Sequence, residues 1–374
     1  MQKTKFYSYK IGNLPKGCSQ CVKGEKLVLF VTGLCERKCY FCPLSDQKKN
    51  KDDIWANEWK IKSKADIIKE AKLCSAKGAG ITGGDPLLKL DRTITLIKLL
   101  KKEFGKSFHI HLYTPLNLVT RQKLEKLSSA DLDEIRFHPD LDDKKEWSRI
   151  LYAKEFNWDI GIEIPVIPTK KGQTKSLLDF VEGKVSFINL NELEISDTNA
   201  NKLAEFGFKC KDNISYAITG SEKTAKELLS YLKNKKFNVH FCTAKLKDAV
   251  QLANRIKRRA KNVSKPYDRV STEGILTRGA VYLKDLSPSS FGYRKILDKA
   301  DRKSSIKQLE KIKKELLKEN KIKPEMLEID REKLRLLTSV EILKKLKRKK
   351  GLSYAVVEEY PTHDQLELSV EFVS

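Results

Sequence analysis

No run in the 374-residue chain approaches the roughly 20 consecutive apolar residues that a membrane-spanning helix needs. The opening Met1-Gln2-Lys3-Thr4-Lys5 carries no apolar stretch of the signal-peptide kind. From these two absences a soluble, cytoplasmic protein with no membrane partner is expected. Histidine is scarce, five residues in all, and no serine–histidine–acid arrangement can be argued from their positions. Acidic charge also falls short: 50 Asp and Glu face 75 Lys and Arg, a net charge of +25. Such an excess concerns association rather than fold, and a polyanion, most simply nucleic acid, is the expected partner. The bland alternative is a surface that is basic without a specific partner.

Cysteine is present, but eight in a chain this long do not make a secreted disulfide framework. Five of them, Cys18, Cys21, Cys35, Cys39 and Cys42, fall in tight groups, the clustering of metal ligands in a reducing compartment. Cys35, Cys39 and Cys42 form a C-x3-C-x2-C run behind the apolar residues 27–31. Thiolates at this spacing can hold one cubane iron–sulfur cluster from a single loop. Such a cluster normally takes four cysteines, so three leave one iron open to a reactant. A structural zinc site or unrelated reduced thiols are the alternatives.

Cys18 and Cys21 form a C-x2-C pair between Gly17 and Gly24, with glycines permitting the turn of a metal knuckle. His240 and Cys242 share one face of a strand-like run and are candidates to complete a second site, for zinc or a second iron–sulfur cluster. The alternative is that Cys242 belongs to the core. Cys74 shares a helical face with Ile67 and Ala71 and reads as core; Cys210 reads as core or surface.

Residues 25–246 alternate short apolar runs with amphipathic stretches. Strands are expected near 27–31, 79–82, 108–113, 134–138, 159–167 and 187–195, with a further run at 237–241. Helices are expected near 63–76, 91–103, 120–127, 142–156, 176–181 and 221–234. The first opens on a capping box, Ser63 with Asp66 in place of the usual Glu. Alternating strand–helix units predict a parallel sheet with helices outside, and about six units suit a partial barrel. Chemistry in such barrels sits at the C-terminal strand ends. The three-cysteine loop falls there, after the first strand. So does Gly83-Gly84-Asp85-Pro86, after the second, where two glycines let backbone approach a ligand. His109 and His111 alternate toward one face, inward or outward.

Residues 35–42, with an aromatic before the last cysteine, and residues 83–86 together resemble the radical S-adenosylmethionine (SAM) superfamily. The run 35–43 is also similar to pyruvate formate-lyase activating enzyme and its relatives, among them an archaeal group. The resemblance covers residues 14–285. It implies an α/β fold, a partial (β/α)6 TIM-type barrel. It implies a [4Fe–4S] cluster on Cys35, Cys39 and Cys42, with SAM chelated at the open iron. Gly83, Gly84, Asp85 and Pro86 would hold the SAM amino group, with Asp85 where Glu is commoner. The main chain near Phe41 would meet adenine, the strand carrying Glu163 adenine or ribose, and Arg136 and His138 SAM. The implied chemistry is one-electron cleavage of SAM, fed by a reductant, to a 5′-deoxyadenosyl radical that abstracts hydrogen from substrate. No residue beyond these cofactor positions is assigned a catalytic role.

Three regions are expected: a metal knuckle at 1–24, the barrel at 25–246, and a basic C-terminal region at 247–374. The last begins with a helix, 247–261, on which Arg255, Lys257, Arg258, Arg259 and Lys261 would present a cationic face to phosphates. A small α+β domain follows. It comprises a hairpin around Glu273-Gly274, the aromatic–basic run Phe291-Gly292-Tyr293-Arg294 suited to stacking on bases, helices at 305–319 and 331–350, and a hairpin across 352–373. The leading expectation is a radical SAM enzyme that modifies RNA, most simply tRNA. The alternatives are one that installs a radical on, or alters a side chain of, a protein, and a non-enzymatic metal-stapled RNA-binding scaffold.

Overall fold

A computed structural model describes residues 1–288 and 292–373. Phe291 of the expected base-stacking run lies outside them. The chain divides into two compact units, Met1–Arg255 and Ile256–Ser374. The division falls inside the helix Ala253–Val263, not at the expected 246/247.

The first unit is built on parallel strands. In chain order they are Lys26–Phe30, Gly78–Thr82, His109–Pro115, Glu134–His138, Asp159–Val166, Phe187–Glu192 and Asn238–Cys242, each paired in parallel with the next. The run at 237–241 therefore joins as a seventh parallel strand. Neither end closes on the other. The first strand pairs antiparallel with Trp55–Ala56, and the seventh with Tyr9–Ile11. The N-terminal residues are thus woven into this sheet, and 1–24 is not a separate knuckle. Among the described residues no helix is long and apolar enough to cross a membrane.

Strand alternation sorts the side chains. Ile110 and Leu112, Ile135 and Phe137, Ile188 and Leu190, Val239 and Phe241 enter one apolar core with the outer helices. Each such buried side chain contributes about 1.5–3 kcal/mol. The intervening residues His111, Tyr113, Arg136, Glu163, Asn189, Asn191, His240 and Cys242 line a cavity instead. His111 thus points inward. Buried His109 accompanies it, its Nδ1 2.9 Å from Lys26 Nζ.

The expected capping box forms, with Ser63 N donating to Asp66 Oδ2 at 2.8 Å ahead of the helix Lys64–Leu73. The helix expected at 142–156 shortens to a 3-10 segment, Trp147–Glu155. Asp140 intervenes: its Oδ1 accepts from Asp142 N at 2.9 Å and its carbonyl from Trp147 Nε1 at 2.7 Å, holding 140–143 as a turn. The C-x2-C pair does not sit in a glycine turn either. Both cysteines lie on the helix Lys16–Val22, started by Pro15, and only Gly24 takes a left-handed φ of 66°.

The second unit is an antiparallel sheet in the order Leu327–Asp330, Arg335–Thr338, Leu276–Leu283, Leu352–Glu359, Glu367–Phe372, with Arg269–Val270 beside Leu276–Leu283. The hairpins at 270–282 and 352–373 form as expected, and the helix Arg302–Glu319 replaces 305–319. The helix expected at 331–350 does not form. Its first half is a sheet strand, and only Val340–Lys345 is helical. The leucines at 334 and 337 mimic helical spacing. Leu334, however, takes φ 50°, and Arg335 is fully buried, bonded to Asp330 and Glu359 at 2.9 and 2.7 Å.

The expected cationic face on 255–261 is also reduced. Arg255 is paired with Glu58, at 3.0 Å from Nη1 to Oε2, and buried Arg259 donates to the Pro361 carbonyl. Arg258 is half-buried, while Lys257 and Lys261 remain exposed. Docking this helix uses two of its arginines as packing and pairing groups rather than as phosphate ligands.

Candidate metal centre and ligand cavity

The cavity in the first unit has a volume of about 950 Å³. Cys35, Cys39 and Cys42 line it, on the loop that leaves the first strand. That loop is folded tightly on itself. A Cβ on Gly33 would come 1.7 Å from the Lys48 carbonyl oxygen, and Gly33 N donates to Lys51 O at 2.7 Å. Asp52 fixes its base, accepting from Thr32 Oγ1 at 2.8 Å and Arg92 Nη1 at 2.6 Å and pairing with Lys89 at 2.9 Å. The Arg92 bond holds the Asp52 carboxyl well below the usual range.

Gly83 and Gly84 line the cavity as well. Their lack of side chains serves the loop first. Gly84 N donates to Thr32 O at 2.7 Å and Asp85 N to Leu34 O at 2.8 Å, so the second-strand exit runs edge to edge with the residues just before Cys35. A Cβ on Gly84 would lie 2.2 Å from Leu34 O. Asp85 and Pro86 do not line the cavity. Asp85 is buried, and its Oδ1 accepts from Leu87 N and from Thr114 Oγ1, both at 2.9 Å. Burial pushes its carboxyl upward, against the pull of these bonds. The structure uses Asp85 to cap the segment Pro86–Lys89, where contact with a ligand was expected.

Other anchors were not legible in the sequence. Arg37 donates to the His138 carbonyl and to Asp140 Oδ2, each at 2.8 Å. Asn199 Nδ2 donates to Phe41 O at 3.2 Å and to Glu194 O at 3.1 Å, and Thr198 Oγ1 to Cys42 O at 3.3 Å. These partners are more than a hundred residues from the cysteine-loop residues they bond, and no local pattern announces them. Phe41 and His138 have ring centroids 5.8 Å apart. With Ile164 and Pro165 they also border a smaller cavity of about 260 Å³. Burial pushes His138 down to about 4, and its Nδ1 lies 3.0 Å from Glu163 O, a bond that assigns the proton to Nδ1.

Arg136 lies within the cavity. Its Nε donates to Glu134 Oε1 at 2.5 Å and its Nη1 to Glu163 Oε2 at 2.6 Å, while Asn191 Nδ2 holds Glu163 Oε1 at 3.0 Å. Arg136 Nη2 and His111 Nδ1 are buried without a hydrogen-bond partner. Lys26 donates to His109 O at 2.6 Å and Ala79 O at 3.1 Å, and burial pushes it down to about 7.

Cys18, Cys21, His240 and Cys242 line the same cavity. His240 is not a free ligand: Nδ1 lies 2.9 Å from Asn189 Oδ1 and Nε2 3.4 Å from Ser8 Oγ. Among the described residues no three His, Cys, Asp or Glu side chains are gathered as a single metal ion would gather them. That holds for both cysteine trios. The donor set at Cys35, Cys39 and Cys42 fits a cluster, being three soft thiols on one loop, facing a cavity whose adjoining wall is side-chain-free at Gly83 and Gly84.

The radical SAM superfamily profile matches residues 29–180. A protein of Methanocaldococcus jannaschii, provisionally named a glycyl-radical enzyme activating enzyme, is 41% identical over 377 residues, spanning 97% of this chain and 94% of its own. Among solved structures, the chain is similar to the radical S-adenosylmethionine methyltransferase TsrM from Kitasatospora setae, with 8% identity, a TM-score of 0.36, and 71% of this chain and 57% of that one covered. It is similar to coproporphyrinogen III oxidase of Escherichia coli, with 14% identity, a TM-score of 0.34, and 59% and 56% covered. Methylornithine synthase gives 12% identity, a TM-score of 0.38, and 57% and 67% covered.

Proposed function

Because the chain belongs to the radical SAM superfamily and is an enzyme that uses a [4Fe–4S] cluster and SAM, we propose that it installs a glycyl radical on a partner protein. The observation that carries this reading is the M. jannaschii relative, 41% identical across nearly the whole of both chains and named for that activity. Cys35, Cys39 and Cys42 are the residues that would hold the cluster. When bound, cluster and SAM supply a carbon-centred radical able to abstract hydrogen. The chain's own residues position that event. The Asp52–Arg92 pair, Arg37 and Asn199 fix the cysteine loop. Gly83 and Gly84 leave the wall beside it bare, and Phe41, His138 and Glu163 border the space for the nucleoside. Arg136, held by Glu134 and Glu163, lines the same cavity.

A one-electron reductant and a protein substrate are the implied partners, in a reducing, cytoplasmic setting. RNA modification is the weaker reading. Two of the five cations it relied on, Arg255 and Arg259, are committed inside the fold. Anaerobic protein with reductant should convert SAM to 5′-deoxyadenosine, and Cys39→Ala should abolish this. Turnover that survives that change sinks the cluster assignment. A glycine-centred radical signal on a co-incubated partner protein supports the activating role. A new modified nucleoside in tRNA, without such a signal, reverses the order of the two readings.

A further inference from the structure

Six of the protein's eight cysteines line one cavity. Only three of them are accounted for by the cluster that cleaves SAM. We propose that Cys18, Cys21 and Cys242 hold a second thiophilic metal centre, an iron–sulfur cluster, within the same cavity. This inference does not depend on which substrate the enzyme acts on.

The three thiols come from remote parts of the chain, yet they form one local group. Cys18 and Cys21 are one helical turn apart on Lys16–Val22. The next residue, Val22, packs with Cys242 and Leu246 in a small apolar cluster of its own. Cys18 and Cys242 each lie within electrostatic reach of Cys21. Reduced, buried thiols behave as small apolar groups, and nothing about packing requires three of them to face a polar space. Here they border a cavity shared with Asn189, Glu163 and Lys247.

Charged side chains surround the three sulfurs: Arg136 lies within electrostatic reach of Cys18, Lys26 and Arg136 of Cys21, and Lys247 of Cys242, with the Glu163 carboxylate opposing them at all three. Gln251 Nε2 already donates to Cys242 Sγ at 3.6 Å. Arg136 Nη2, buried and without a partner, points to a missing acceptor. It lies at Gly17, the residue before Cys18, where an added Cβ would come within 2.5 Å of it. An inorganic sulfide or a metal-bound thiolate would supply that acceptor. Among the described residues no three such side chains are gathered as for a single ion, which argues against a lone zinc; a multi-iron cluster reaches between its ligands with its own atoms. His240 cannot serve as the fourth ligand while Asn189 and Ser8 hold both its ring nitrogens. The centre would therefore carry three protein ligands and one open position.

The test is metal content of the full-length protein, prepared anaerobically with iron and sulfide. In Cys35→Ala/Cys39→Ala/Cys42→Ala, about half the wild-type iron and acid-labile sulfide should remain, with a reduced-state EPR signal indifferent to SAM. In Cys18→Ser/Cys21→Ser/Cys242→Ser the other half should remain, with a signal that shifts when SAM is added. One zinc per chain without acid-labile sulfide in the first variant overturns the cluster. A folded first variant free of metal, or a second variant with the full wild-type complement, overturns the proposal. Should a triple variant fail to fold, alkylation of the wild type decides. Labelling of Cys18, Cys21 and Cys242 must rise once the metal is stripped by chelator, and unchanged labelling refutes the site. A wild type whose signals ignore SAM altogether counts against the proposed function and leaves this metal count intact.

Discussion

Replacing Gly84 by alanine tests whether the two loops at the site are held together by backbone contact. Its conformation is not left-handed, so the substitution isolates a steric effect. The new Cβ would meet Leu34 O at 2.2 Å and Gly33 O at 2.9 Å. It falls roughly 1 Å short of ordinary contact, and both obstacles are backbone atoms that no side-chain rotation can move. The strand exit must withdraw from the cysteine loop. That weakens the Gly84 N–Thr32 O bond of 2.7 Å and the Asp85 N–Leu34 O bond of 2.8 Å. Two hydrogen bonds at about 1 kcal/mol each, with about 1–2 kcal/mol of overpacking, make a loss of about 3 kcal/mol. With an m-value near 3 kcal/mol/M, urea unfolding should come about 1 M earlier. Cys35 is the next residue after Leu34, so iron retention should fall together with stability. Gly172→Ala is the control, with nothing within 4 Å of its added Cβ, and it should be neutral or stabilising by up to about 1 kcal/mol. A Gly84→Ala protein with wild-type urea midpoint and wild-type iron would falsify the edge-to-edge account.

Asn199→Ala removes a buried side chain that bonds Phe41 O, Glu194 O and Ser196 N. It should cost about 2 kcal/mol in thermal or urea unfolding and lower iron per chain; unchanged iron would show that this anchor does not hold the loop. Arg136→Met leaves buried Glu134 and part-buried Glu163 without their cation and should destabilise by about 3–5 kcal/mol, whereas a midpoint equal to wild type would refute a stabilising role for this pairing. Lys26 sheds its proton near 7 in the fold and near 10.5 when unfolded. Between those values the unfolded chain binds the extra proton, so this group makes stability rise with pH from about 7 toward 10.5. Lys26→Met should flatten that rise in unfolding curves taken across the range, and an unchanged slope would assign it to other groups.

The sequence displayed the outer layer of the barrel and the first cysteine trio well, for a physical reason. Alternation such as Ile110 and Leu112 against His109 and His111 is local, and a three-cysteine loop is read from one stretch. What it concealed depends on contacts between distant residues. Asp85 looked like a ligand because it follows two glycines at a strand end. It caps Pro86–Lys89 through Leu87 N and accepts from Thr114 Oγ1, a donor that only the fold brings near. The arginines at 255 and 259 looked exposed because charge runs usually are, while their partners Glu58 and Pro361 lie about two hundred and one hundred residues away. The stretch at 331–350 carried leucines at a helical period, and a buried arginine at its centre gave no hint of a strand.

The barrel cavity has a polar lining. An apolar interior would have been both more stable and easier to predict. Here Arg136, Glu134, Lys26 and two histidines of the third strand are withdrawn from water, at a desolvation cost that their pairing offsets only in part. The apolar core between the sheet and the outer helices must carry the stability of the unit. The lining is thereby released from packing duty, and its residues answer to what occupies the cavity. Two of them, Arg136 and His111, still have an unpaired buried atom. An unpartnered buried polar group beside a cysteine is accounted for most directly by a ligand that completes it. The same reasoning separates the two trios. The first announces itself from one loop, whereas the second exists only once the seventh strand has brought Cys242 to the helix that bears Cys18 and Cys21.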